Sequence, residues 1–251
     1  MEVHHHPHAR NKAWKEYLLE GLMIFVAVTM GFFAENIRES IENNETEKRN
    51  IEIVLNNLKN DTTRLVQSIE NNTKKITILD KLTAFNVPHA LPKDSIQILI
   101  SLIYQCGPFY DFISNDAAIQ QMKSSGTIRL IHKKGVLDSI LHYEYINKLI
   151  GNTQAACQQW NYEAHINHTK LDKSVLGIDM PSAASAISMS AMTSGNLYLK
   201  QQKSLALQCF EEFAVVRYIL STETVPLLQQ QLANSSRLIQ LLEKEYHLEK
   251  E

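Results

Sequence analysis

Residues Tyr17 to Ala34, YLLEGLMIFVAVTMGFFA, restrict the fold of this chain more than any other stretch. From Gly21 to Ala34 there is no charged side chain. The full run of 18 residues is about 27 Å long as an α-helix, against about 30 Å for the hydrocarbon core of a bilayer. Its apolar character continues around every face, which leaves no polar side for water. The reading is an uncleaved membrane-spanning helix over 17–34. A cleavable signal sequence and a buried core helix are the competing readings. Cleavage requires small residues at the end of the apolar run, and Phe32 and Phe33 stand there instead.

Arg10, Lys12 and Lys15 precede the run, whereas Glu35, Glu39, Glu42, Glu45 and Glu47 outnumber Arg38, Lys48 and Arg49 after it. Basic residues favour the cytoplasmic side, so residues 1–16 are expected as a disordered cytoplasmic tail and 35–251 as an extracytoplasmic region. A tail of that length holds no output or catalytic domain. Its histidines, His4, His5, His6 and His8, form a cluster without other ligand types nearby. Within the span, Glu20 is costly in lipid unless it reaches the interface or a partner helix. Ala27 and Gly31 form a small-x-x-x-small step that permits close helix approach. Glu20, Gly21, Ala27 and Gly31 are therefore the candidate contacts for a homo-oligomer or another membrane protein, and the lipid bilayer is the expected environment.

Beyond the span no Gly or Pro occurs until Pro88. Ile37, Ile41, Asn44, Lys48, Ile51, Leu55, Leu58, Thr62, Leu65, Ile69, Asn72, Ile76 and Leu79 step alternately by four and three, the pattern of a heptad core face. A helix over 35–82 follows. Its stripe suits either a self-associating coiled coil or packing on later helices of the same chain, and the amount of helical sequence downstream favours the second. Further helices are expected at about 93–105, 115–124, 136–172, 197–221 and 224–249. Ser114 or Asn115 is the cap candidate of the second of these, and Thr222 or Thr224 that of the last. Gly126 suits a left-handed helix end, Pro226 a helix start, and Thr127 to Ile131 is short and apolar with no decisive period. Residues 178–196 read as an irregular connection. The scarcity of Gly (8) and Pro (6) in 251 residues agrees with few turns. The fold class is all-α: one transmembrane helix continuing into a long helix, then an antiparallel bundle.

Chemistry is sparse. The net charge of −2 offers nothing to nucleic acid. Cys106, Cys157 and Cys209 lie too far apart for a zinc module or disulfide scaffold; three buried thiols, or one disulfide plus a free thiol, are the alternatives. His165 and His168 share a helix face without a completing ligand and are expected to be solvated. No phosphate-binding glycine loop or nucleophile elbow is present, and Ser124–Ser125–Gly126 reads as a helix end rather than a nucleophile. No catalytic, metal or cofactor site is assigned. The Asn-x-Ser/Thr triplets at Asn44, Asn60, Asn71, Asn167 and Asn234 carry weight only in a eukaryotic secretory pathway.

Three stretches carry a resemblance: Leu19–Glu20–Gly21–Leu22–Met23–Ile24, Glu35–Asn36–Ile37–Arg38–Glu39, and the segment from Ile119 to Ile131 containing Lys123, Ser124, Ser125, Gly126, Arg129, Leu130 and Ile131. With Tyr143, Tyr145 and the Leu- and Glu-rich stretch Leu238 to Glu245, the chain resembles a family of uncharacterised single-span bacterial membrane proteins. It departs from them in the histidine tail and in the Met/Ser/Ala-rich stretch 181–193. The resemblance implies an inner-membrane location and brings no activity with it.

Overall fold

A computed structural model describes residues 14–84, 98, 101–103, 105–107, 111–176 and 203–248, with the backbone alone described for 169–176 and 203–207. Among these residues the elements are helical and no strand occurs. They are α1 (Trp14–Thr83), α2 (Ala117–Ser125), a 3₁₀ turn (Thr127–Leu130), α3 (Lys134–Leu176), α4 (Lys203–Ile219), a π turn (Leu220–Thr224) and α5 (Val225–Tyr246). The histidine cluster, the turn around Pro88 and the expected connection at 178–196 lie outside the described residues, as does part of the expected helix at 93–105. Trp14, Lys15 and Glu16 are already helical, so the expected 16-residue tail is shortened from its C-terminal end.

The chain forms two compact units, Met1–Asn50 and Ile51–Glu251. In the first, α1 carries exposed apolar side chains throughout the span stretch, and Arg38 bonds both Glu35 and Glu42 at one-turn spacing. Ile37 and Ile41, two positions of the heptad stripe, are 60% and 55% exposed. The boundary between the two units falls at Asn50/Ile51.

The second unit packs four legs through three apolar layers. The first layer joins Ile51, Val54 and Leu58 of α1, Ile119 and Met122 of α2, Ile140 and Tyr143 of α3, and Leu238 and Leu242 of α5. The middle layer joins Leu65, Phe112, Ile146, Ile150 and Leu228. The last joins Leu79 and Leu82, Leu102, Ile103 and Cys106, Cys157 and Ala164, and Phe213 and Leu220. Numbers rise through the layers in α1 and α3 and fall in the other two legs. The topology is up–down–up–down, and in its second leg residues 111–116 have no regular secondary structure. Each fully buried Leu, Ile or Phe contributes about 1.5–3 kcal/mol.

In this unit the buried face of α1 is Ile51, Val54, Leu55, Leu58, Asp61, Leu65, Ser68, Asn72, Lys75, Leu79 and Leu82. Thr62, Ile69 and Ile76, which the heptad reading placed in the core, are half-buried. Ile51, Leu55, Leu58, Leu65, Asn72 and Leu79 of the heptad reading are buried, while the alternate positions move back by one residue to Asp61, Ser68 and Lys75, which turns the centre of the seam by about 50°.

The expected break before the last helix does not occur. Thr224 is right-handed helical and makes no side-chain cap, and Thr222 Oγ1 donates to Tyr218 O at 2.7 Å. The helix instead widens by one π turn, in which Val225 N–H bonds Leu220 O. Pro226 has no N–H for the carbonyl one turn back and its ring crowds that carbonyl, and the wider turn absorbs both defects. Asp116, rather than Ser114 or Asn115, sits at the N-cap of α2, again without a side-chain cap.

Gly126 ends α2 at φ 74°, and its N–H bonds Lys123 O. A Cβ there meets nothing within 4 Å, so substitution is limited by backbone conformation rather than by space. Gly126→Ala is expected to cost about 1 kcal/mol and Gly126→Asn distinctly less, read as shifts of the denaturant midpoint. Equal midpoints for both variants would contradict the left-handed cap.

Candidate functional site

Buried backbone groups in a non-helical leg need partners other than their own chain neighbours. Side chains of α1 and α3 supply them. Gln154 clamps Phe112 from both sides: its Oε1 accepts the Phe112 N–H at 3.0 Å and its Nε2 donates to the Phe112 carbonyl at 3.1 Å. Asp61 accepts the Asn115 N–H on both oxygens, at 3.1 and 3.0 Å. Lys75 Nζ donates to Gly107 O at 2.9 Å and to Asn161 Oδ1 at 3.3 Å. Gln158 donates to the Asp111 carboxylate, and Asn115 Nδ2 donates to Asn57 Oδ1 at 3.0 Å.

A second tier holds the clamps. Tyr143 Oη donates to Asp61 Oδ2 at 2.7 Å. Gln231 Nε2 reaches across from α5 to the Tyr143 carbonyl at 2.8 Å and to Asn147 Oδ1 at 2.6 Å. Burial raises the Asp61 carboxyl above its ordinary range, although the Tyr143 hydroxyl and the Asn115 amide pull the other way. Burial likewise pushes the Tyr143 phenol up, and the Asp61 carboxylate adds to the effect.

Further along the seam, burial lowers the Lys75 amine to about 8, partly opposed by the Cys106 and Cys157 thiols and Asp111. Burial raises Cys106 and Cys157 to about 11. All three cysteines are buried free thiols; Cys157 Sγ lies 3.8 Å from Thr224 Oγ1 in the π turn, and Cys209 Sγ donates to Ala164 O. His165 and His168 are not the solvated histidines that the sequence suggested. His165 packs edge-on against Phe213, and His168 is 3% exposed, held down to about 4 by burial and by His165. Beside them Asn167 Nδ2 donates to both oxygens of the buried Glu212, at 2.7 and 2.9 Å. The arrangement binds backbone and orders a core. Among the described residues no cluster of three His, Cys, Asp or Glu side chains could hold a metal ion.

The residues singled out in the sequence lie elsewhere. Glu20, Gly21, Ala27 and Gly31 are exposed on the first unit, and a Cβ added at Gly21 or Gly31 meets nothing within 4 Å. Glu20, Ala27 and Gly31 share one helix face, and Gly21 points about 100° away. The segment from Lys123 to Ile131 forms a corner of the fold. Lys123 pairs with Glu144, Ser124 and Ser125 donate to the Gln121 carbonyl, Gly126 turns the chain, and Arg129 and Leu130 lie in the 3₁₀ turn. Ile131 then enters the first layer. Asp61, Lys75 and Gln154 were missed because each is an ordinary polar residue one position from the apolar stripe or inside a polar run. Asn72, a polar position within the heptad stripe, was the nearest signal; its Nδ2 donates to Ser68 O.

Asp61→Ala leaves the Asn115 N–H and the Tyr143 hydroxyl buried without their acceptor, and about 2–4 kcal/mol of stability should be lost. Adding Tyr143→Phe should recover about 1 kcal/mol of that loss; simple additivity in the double-mutant cycle would remove the coupling. For Lys75 the folded-state value lies below the unfolded one, so the unfolded chain holds the proton more tightly and this group's contribution to stability rises with pH from about 8 toward 10.5. The raised thiols oppose it mainly above their ordinary 9.0. From pH 8 to 9 the chain should therefore gain about 1 kcal/mol relative to Lys75→Met in denaturant titrations, and a pH-independent difference would refute the assignment.

No protein-family model, curated protein or solved structure matches the chain.

Proposed function

We propose that the chain is a single-pass membrane protein, non-enzymatic, whose helical bundle beyond the span is a scaffold or partner-binding module. One observation carries the membrane reading. An 18-residue window within α1 has a mean hydropathy of 1.9, and none of it is buried. A core helix of a soluble protein would bury that surface. Nine Leu, Ile, Phe and Val residues lie between Tyr17 and Ala34, at about 0.3–0.6 kcal/mol each on insertion. Together they outweigh Glu20 near the end of the run, where its cost falls below that at the bilayer centre. The charge bias supports a cytoplasmic N-terminus with the bundle on the other side, and the resemblance carried by Lys123 to Ile131 supports a bacterial inner membrane.

The module reading is supported by what the polar seam does. Asp61, Lys75 and Gln154 are occupied with backbone of their own chain rather than arranged around a reacting atom. A second reading, a transducer passing bundle motion to a partner through the span, is favoured by one feature: α1 is helical from Trp14 to Thr83 without interruption. Glu20, Ala27 and Gly31 would be the lateral contact in that case, with a second copy or another membrane protein.

Alkaline carbonate extraction of membranes should leave the chain in the pellet, and release into the supernatant would overturn the membrane reading. A phosphatase fused after Glu251 should be active on the extracytoplasmic side; activity of a cytoplasm-specific reporter at the same position would reverse the orientation. Under the transducer reading, Gly31→Leu should abolish crosslinks that the unaltered chain forms through the span.

A further inference from the structure

Between Glu35 and Asn50 only two side chains are apolar, Ile37 and Ile41. They stand four residues apart on α1, 60% and 55% exposed, in a stretch otherwise made of Glu, Asn, Arg, Lys, Ser and Thr. The charges beside them are already neutralised within the chain: Arg38 bonds Glu35 at 2.6 Å and Glu42 at 2.9 Å. The two isoleucines therefore form a narrow apolar ridge on a helix that is polar on every other side.

The ridge continues into the span. Stepping back from Ile41 by alternating fours and threes gives Ile37, Ala34, Met30, Ala27 and Met23, and the next step forward gives Asn44. All of these positions belong to the first unit and all are exposed. Ala27, Ala34 and Ile41 repeat at one core position of a heptad, and Met23, Met30, Ile37 and Asn44 at the other. Every other heptad line meets a polar side chain at once beyond the span: Glu35, Asn36, Arg38, Glu39 or Ser40. The line through Gly31 is one of these and runs out onto Arg38. Ala27 and Ala34 let two backbones approach, and the flexible methionines fill the space between them. Two copies of a single-span chain stand parallel and at the same depth, so each position on the line meets itself. Asn44 suits that meeting, because its amide offers both a donor and an acceptor and a like amide at the same level answers both. The following position, Lys48, would set two ammonium groups face to face, so the line ends at Asn44.

We propose that the line from Met23 to Asn44 is a parallel, left-handed two-helix seam with a second copy of this chain, running through the span and about 15 Å beyond it. The inference rests on the membrane reading above and names the partner and the contact residues. Ile37, Ile41 and Asn44 alone are too short a heptad stretch to pair in water. The bilayer supplies the rest by confining the copies to one plane, one orientation and one depth, which raises their effective concentration. The assembly carries two bundles, and a partner with two matching sites gains avidity from it.

The test uses the full chain in membranes. On mild oxidation Ile37→Cys and Ile41→Cys should each give a crosslinked dimer. Glu39→Cys, on the opposite side of the helix, should give no more than the unaltered chain, whose three thiols are buried. Two copies carrying different tags should co-purify in mild detergent. Ile41→Glu in both copies sets like charges at one level and should cut co-purification at least fivefold, and Ile41→Lys in both should do the same. One copy of each should restore it, a rescue that requires position 41 to face its own counterpart. Ile41 is exposed, so these substitutions leave the fold of the single chain intact. No crosslink at 37 and 41, equal crosslinking at 39, co-purification indifferent to Ile41→Glu, or no recovery in the mixed pair would each overturn the proposal. Carbonate extraction of the same membranes reads the anchor by itself. A chain released into the supernatant marks failure of the membrane reading, and a chain that stays in the pellet without pairing marks failure of the seam.

Discussion

A buried stretch of backbone that is neither helix nor strand has to be given hydrogen-bond partners, and the second unit is built around that requirement. Residues 111–116, which pass the middle layer at Phe112, have no regular secondary structure. Left unpaired, each buried amide or carbonyl would cost about 1–3 kcal/mol. The partners come from Asp61 on α1 and Gln154 on α3, and Lys75 performs the same service for Gly107. These side chains are then fixed in turn: Tyr143 holds Asp61, Asn161 holds Lys75, and Gln231 ties α5 to α3 at Tyr143. The polar seam and the apolar layers are one construction, since Phe112 reaches Leu65 and Leu228 only if its backbone is satisfied where it crosses.

Much of the fold was legible because helices announce themselves through period and punctuation. The absence of Gly and Pro from Glu35 to Val87 fixes a long helix, and Gly126 fixes a helix end. What the period could not reveal was which neighbours α1 would face. A stripe defined by Ile and Leu points to the centre of apolar mass, whereas the packed face also includes Asp61, Ser68 and Lys75. The partners of Asp61 and Lys75 lie more than thirty residues away in sequence, at Asn115 and Gly107, which no local window contains. Pro226 shows the same limit from the other side. Read locally it starts a helix, but tertiary packing of Leu220 and Thr224 carries the chain through, and a π turn absorbs the misfit.

The candidate site was the least legible part. Clusters of His, Cys and carboxylate are the usual signals for chemistry, and here His165, His168 and the three cysteines belong to, or border, the last apolar layer. The residues that bind backbone, Gln154 above all, are amides, one amine and one carboxylate whose spacing carries no motif. The resemblance segment illustrates the converse: Lys123 to Ile131 is distinctive as sequence because a helix end, a left-handed glycine and a 3₁₀ turn must follow one another in nine residues.

Burial of the thiols has a consequence for their reactivity. The thiolate is the reactive species, and burial disfavours it by raising Cys106 and Cys157 to about 11. The intact bundle is therefore inert toward alkylating agents and exchange partners at these positions, although nothing covalent protects them. Opening of the last layer restores ordinary reactivity at both. The pair is thus an internal gauge of folding: in a mixed population, the chains that become labelled are the ones whose core has come apart.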